Sequence, residues 1–161
     1  MWLARNWALV FLLLQLLVFG VLGMRFLSPQ NLQNILIAST TILLLGVGET
    51  FVIISGGIDL SVGFVMGFAA VTCAKAMVLL QAQGLPDWLS IILGALAALL
   101  IGLIPGLVNG ILVARLKVPP FLATFGMYGI AYGVSEIVSA NTPISGLPAL
   151  AGVIGNEYFI Y

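Results

Sequence analysis

Gly56-Gly57-Ile58-Asp59-Leu60-Ser61-Val62-Gly63 is the stretch on which the fold turns. It lies in a run from Ile35 to Leu80 whose only charged residues are Glu49, Asp59 and Lys75. As one continuous helix that run would measure about 70 Å, against a hydrocarbon core of about 30 Å. The chain must therefore turn within it, and the paired glycines suit the end of one helix. Asp59 and Ser61 suit the start of the next, because both side chains accept hydrogen bonds from unpaired N–H groups. A carboxylate at this depth is costly in lipid and belongs against protein, water or a solute. Two roles fit Asp59 and Ser61: capping a tight turn, or forming a polar site of the kind that transporters build at broken helices.

The surrounding composition sets the class. The chain has 161 residues, 62% of them hydrophobic and 6% charged, where a soluble domain carries about 25% charged residues. It reads as an all-α integral membrane protein forming one transmembrane domain over 1–161. Formal net charge is zero, so nucleic acid is not an expected partner. With no histidine and Cys73 as the single cysteine, the chain itself lacks the parts for a His/Cys metal site or a Ser-His-Asp triad. No catalytic residue, metal or cofactor is expected. A phosphate-binding glycine loop with its Lys and Ser/Thr is absent as well, so active transport would draw its energy from another subunit or an ion gradient.

Five crossings are expected, at about 6–24, 35–55, 59–80, 88–114 and 121–138. The first follows Arg5 and is too long for a secretory signal core, so it reads as a retained span with Trp2 and Trp7 at the interface. Ser28-Pro29-Gln30-Asn31 reads as a loop that caps the second span, and Asp87 as the N-cap of the fourth. Pro119-Pro120 closes one element and opens the next. The tail from Ser139 to Glu157 reads as a loop, and Tyr158 to Tyr161 as the opening of a further apolar element. Arg5, Arg115 and Lys117 fall on one side of the membrane and Arg25 on the other. The excess of basic residues places the N-terminus in the cytoplasm.

Within the fourth span, Gly94, Ala98, Gly102, Gly106 and Gly110 recur every four residues and share one helix face. Such a face admits a neighbouring backbone closely, the packing device of lipid-embedded helices. Pro105 removes one helical hydrogen bond. Asn109, one turn on, either bonds a freed carbonyl or lines a polar path. Glu49 fits a proton relay, a substrate contact or a structural hydrogen bond. An intramembrane protease would need a second aspartate beside Asp59, and Asp87 lies in a loop.

Thr50-Phe-Val-Ile-Ile-Ser55 followed by Gly56-Gly57-Ile58-Asp59-Leu60-Ser61-Val62-Gly63 resembles the signature of sugar-type ABC importer permeases, the ribose/xylose/galactose group. The block from Gly106 through Asn109, Arg115, Lys117, Pro119, Pro120, Phe121 and Thr124 to Gly126 is similar to a second motif of that family. Pro143-Ile-Ser-Gly-Leu-Pro148 resembles its external loop. The resemblance implies a permease subunit in the bacterial inner membrane, paired with a second permease subunit as a homo- or heterodimer. It further implies a cytoplasmic ABC ATPase and a periplasmic or extracellular sugar-binding protein, with a small-molecule sugar moved by alternating access. Members of that family are longer, so the chain is expected to be the N-terminal portion, an incomplete half of a larger polytopic bundle. The alternative is a truncated remnant that inserts and packs without transporting. Carried onto this sequence, Gly56, Gly57, Asp59 and Ser61 shape the break near the path. Asn109, Phe121 and Thr124 lie in the second motif, with Phe121 and Thr124 expected to line the path.

Overall fold

A computed structural model describes residues 5–156. They are helical, without strands among the described residues. The helices are α1 (Trp7–Leu22), α2 (Pro29–Ile54), α3 (Val62–Ala82), α4 (Asp87–Ala114), α5 (Pro120–Ser139) and α6 (Ala149–Asn156). α2 to α5 are each long and apolar enough to cross a membrane. α1 has 16 residues, about 24 Å at about 1.5 Å per residue, shorter than the first span expected at 6–24. Trp2, Glu157 and the apolar element at 158–161 lie outside the described residues.

The chain divides after Gly48 into two compact units. In the first, Phe19 of α1 packs on Phe26 with ring centroids 5.7 Å apart. Ser28 caps α2 as expected, its Oγ accepting from the N–H of Asn31 at 3.3 Å. The helix nevertheless opens at Pro29, so the polar residues read as a loop form its first turn. Proline fits there because the first turn has no helical partner for its missing N–H. Asn31 adds a tether, its Nδ2 donating to the carbonyl of Phe26 at 2.7 Å.

The second unit is built on α3, α4 and α5, which pack on one another. Its interior is made of small and polar side chains: Ala123, Met127 and Ala131, with Ser61, Ser90, Asn109 and Thr124. Large aliphatic residues such as Leu99, Leu103 and Leu107 point outward. This inverts the soluble pattern, as expected where lipid is as apolar as leucine and close backbone contact supplies the packing. Gly94 shows that contact directly. A Cβ there would stand 2.7 Å from Met77 Cγ and 3.0 Å from the Cys73 carbonyl oxygen. Gly102 has Ala69 Cβ at 4.0 Å, whereas Cβ atoms on Gly106 and Gly110 would meet nothing within 4 Å. The glycine face of α4 is therefore a packing seam in its first half and open in its second.

Asp87 differs from its expected role. It is the first residue of α4, Pro86 holds the N-cap position, and no side chain caps the helix. Its Oδ1 accepts from Gln81 Nε2 at 3.0 Å and its Oδ2 from the N–H of Leu150 at 3.4 Å. It thus ties the end of α3 to the start of α6. The tail read as a loop contains this short helix, which begins directly after Pro148, a residue that cannot continue a preceding helix but readily opens a new one.

A polar groove at the helix break

The break between α2 and α3 is fixed by local chemistry. Gly56 has φ +77°, its N–H donates to the carbonyl of Ile53, and the N–H of Gly57 donates to the carbonyl of Val52, both at 2.9 Å. This is a Schellman termination, in which a left-handed residue lets two N–H groups satisfy carbonyls of the last turn. Three residues later the Asp59 carboxylate takes over. Its Oδ1 accepts from the Ser61 N–H at 2.7 Å and from Ser61 Oγ at 2.6 Å. Ser61 is the N-cap residue of α3, yet its side chain makes no cap hydrogen bond. Its hydroxyl is turned to Asp59, because a charged acceptor makes the stronger bond.

Two long-range bonds then lock the break onto the bundle. Asn109 Nδ2 donates to Ser61 Oγ at 3.1 Å. Thr124 Oγ1 donates to the carbonyl of Ile58 at 3.2 Å while also reaching that of Pro120 at 2.9 Å. Asn109 therefore reaches across to the α3 N-terminus instead of bonding a carbonyl freed by Pro105. The result is a directed chain, Asn109 to Ser61 to Asp59, in which each donor meets an acceptor. Ser61 is 1%, Thr124 4% and Asn109 6% exposed. Asn109 Oδ1 is sealed from solvent without a partner. An unsatisfied buried acceptor costs about 1–3 kcal/mol.

Beside this chain lies a groove of about 350 Å³, lined by Ser55, Gly57, Asp59, Gly106, Asn109, Gly110 and Thr124 among others. The open half of the α4 glycine face is one of its walls. Of the expected site residues, the fold gathers Gly57, Asp59, Asn109 and Thr124 on the groove, with Ser61 behind them. Gly56 shapes the turn and is not among the lining residues. Glu49, on α2, is half-buried and not in the lining. Phe121 is 53% exposed and stands outside the groove. It stacks on Phe125 with centroids 5.8 Å apart, and Phe125 stacks on Tyr128 at the same separation. Phe121 faces outward while Thr124, three residues on in α5, is buried against the break.

Sequence reasoning assigned Gly106 and Gly110 to packing alone, since spacing gives the face of a helix but not what stands opposite. It also passed over an open cleft of about 490 Å³ at the other end of α5, where Glu136, Ser139, Asn141 and Thr142 face Ala70 and Ala74 of α3. A carboxylate within the fifth apolar run was its available signal.

Helices of membrane-crossing length, broken by a buried polar joint, define a multi-pass membrane protein. Residues 31–153 match the family described as "Branched-chain amino acid transport system / permease component", and the chain belongs to that family. It is 36% identical over 165 residues to the Fructose import permease protein FrcC of Rhizobium meliloti, covering 95% of this chain and 44% of that protein. The Autoinducer 2 import system permease protein LsrC of Escherichia coli O157:H7 is 36% identical over 142 residues, covering 88% of this chain and 39% of LsrC. LsrC of Yersinia pseudotuberculosis serotype O:3 is 32% identical over the same length. The chain thus spans less than half the length of these relatives. No solved structure matches it. Its family and its helices make it a multi-pass inner-membrane protein.

Proposed function

We propose that the chain is a membrane subunit of a binding-protein-dependent ABC importer that carries a monosaccharide-type solute by alternating access. In this reading an extracytoplasmic binding protein delivers the solute, a second permease subunit completes the path, and a cytoplasmic ATPase supplies the energy. The N-terminus faces the cytoplasm, which puts the break, Arg115 and Lys117 toward the same side. The observation that carries the reading is the Asn109–Ser61–Asp59 chain, a buried polar joint spanning a helix break and bordering a groove. Polar residues inside a membrane bundle mark solute or ion pathways, and this chain is similar over nearly its whole length to a fructose import permease. Glu49 is assigned to the same path beyond the groove, and Gly56 and Gly57 set the angle at which α3 enters.

The test is uptake of labelled fructose by cells producing the chain together with the sugar-binding protein, ATPase and second permease subunit of a fructose import system. Asp59→Ala is expected to abolish uptake while membrane insertion, read by cysteine accessibility, is unchanged. Undiminished uptake by that variant overturns the reading and favours a subunit that only inserts and packs.

A further inference from the structure

At the far end of α5 from the helix break, the open cleft of about 490 Å³ joins aliphatic walls to an oxygen-rich rim. Ala70, Val71 and Ala74 of α3, with Ile144, supply the walls; Glu136, Ser139, Asn141 and Thr142 supply the oxygens. Glu136 stands three residues before the end of α5, a helix of membrane-crossing length. A carboxylate within such a helix is costly and marks a functional site. Among the described residues this carboxylate has no hydrogen bond and no ion pair. Ser139 Oγ at 3.2 Å and the N–H of Asn141 at 2.8 Å both donate to the Glu136 backbone carbonyl instead. The two hydroxyls are spent as donors, Ser139 on that carbonyl and Thr142 Oγ1 on the carbonyl of Ser139 at 2.9 Å. What they still present is lone pairs. Ala140 and Asn141, with φ 55° and 54°, turn the chain so that Thr142 to Ile144 form the lip of the cleft. The C-terminal end of α5 adds the negative pole of its dipole. Lys75 follows Ala74 on α3, but no lysine or arginine is in the lining.

We infer that this cleft is a binding site for an ammonium or guanidinium group on a short alkyl stem. That chemistry is shared by a free aliphatic amine and by a lysine or arginine side chain of a docking protein. The stem lies along the alanines and Ile144, and the head group donates to the Glu136 carboxylate and the lone pairs around it. A cation of this kind brings only donors, which the rim lacks. A neutral alcohol leaves the carboxylate charge unpaired, and an anion is repelled by it. One cation–carboxylate contact at about 4 Å favours binding by about sixfold even at the dielectric of bulk water. The cleft lies at the opposite end of α5 from the groove, and the inference draws nothing from the solute path proposed above.

The experiment titrates butylguanidinium and butylammonium against the full chain in phosphatidylcholine nanodiscs by saturation-transfer NMR, with empty discs as the blank. Both cations are expected to bind saturably, at least about fivefold tighter than butanol, and butyrate is expected not to bind. Glu136→Gln is expected to remove that margin, while Glu136→Asp, one methylene shorter, retains part of it. Ala70→Leu, at an exposed position of α3, is expected to fill the cleft and abolish binding at an unchanged melting temperature. A blocked Gly-Arg-Gly peptide separates the two sources. Displacement of butylguanidinium by the peptide assigns the cleft to a protein side chain, and failure to displace it assigns the cleft to free amines. No saturable binding above the blank, butanol binding as tightly as the cations, or an affinity that Glu136→Gln leaves unchanged overturns the inference. Fructose uptake, measured separately as above, decides the permease reading on its own.

Discussion

Removing the Ser61 hydroxyl tests the joint that holds the break to the bundle. Ser61 Oγ donates to Asp59 Oδ1 at 2.6 Å and accepts from Asn109 Nδ2 at 3.1 Å, so Ser61→Ala deletes two bonds. In water-soluble proteins, stranding a buried donor such as Asn109 Nδ2 costs about 1–3 kcal/mol. Between membrane helices the measured average is lower, about 0.6 kcal/mol with a maximum near 1.7, because the unfolded chain in lipid also finds partners. The second figure governs here, and two bonds give a loss of about 1–3 kcal/mol. The Ser61 N–H still donates to Asp59, so the turn itself survives. Asn109→Leu behaves differently. It removes the orphaned Oδ1 together with Nδ2, and the two effects offset to within about 1 kcal/mol. In that background Ser61→Ala loses only the Asp59 bond. The double-mutant cycle, read by reversible unfolding in mixed micelles with Trp88 fluorescence, is expected to show a coupling of about 1 kcal/mol. Additivity within about 0.3–0.5 kcal/mol, the behaviour of independent sites, would refute the claim that the two side chains form one unit.

Further outcomes follow from backbone geometry. Gly94→Ala forces a Cβ to 2.7 Å from Met77 Cγ and 3.0 Å from a backbone oxygen of α3. It should cost about 1–3 kcal/mol, whereas Gly110→Ala, with open space, should be neutral or stabilising by up to about 1 kcal/mol; melting temperatures compare the two directly. Gly56→Ala places a side chain at φ +77°, which should cost about 1–2 kcal/mol and appear as faster hydrogen exchange across residues 52–57. Asp87→Ala severs the contacts to Gln81 and Leu150, so limited proteolysis within 149–156 should accelerate while α4 itself remains protected.

The membrane class, the helical periodicity and the place where the apolar run must turn were all legible in the residues. Each depends on local quantities: apolar length against bilayer thickness, a glycine pair that accepts positive φ, and a carboxylate too costly to leave in lipid. Spacing also found the α4 glycine face, because helix periodicity is a property of one segment. It could not tell that Gly94 meets a carbonyl while Gly106 and Gly110 stand open, since that depends on how far α3 follows α4. Asn109 was legible as a polar residue within an apolar helix, but its burial and its partner were not. Ser61 lies 48 positions away in sequence, and no local rule pairs them. Asp87 and the residues after Pro148 were misread for the same reason, since a terminus that looks free in sequence is bonded to another helix in space. Composition and local stereochemistry thus settled which segments form and where they stop. Which polar atoms meet was decided only by packing, because hydrogen bonds between helices depend on rotation and depth that a single helix does not encode.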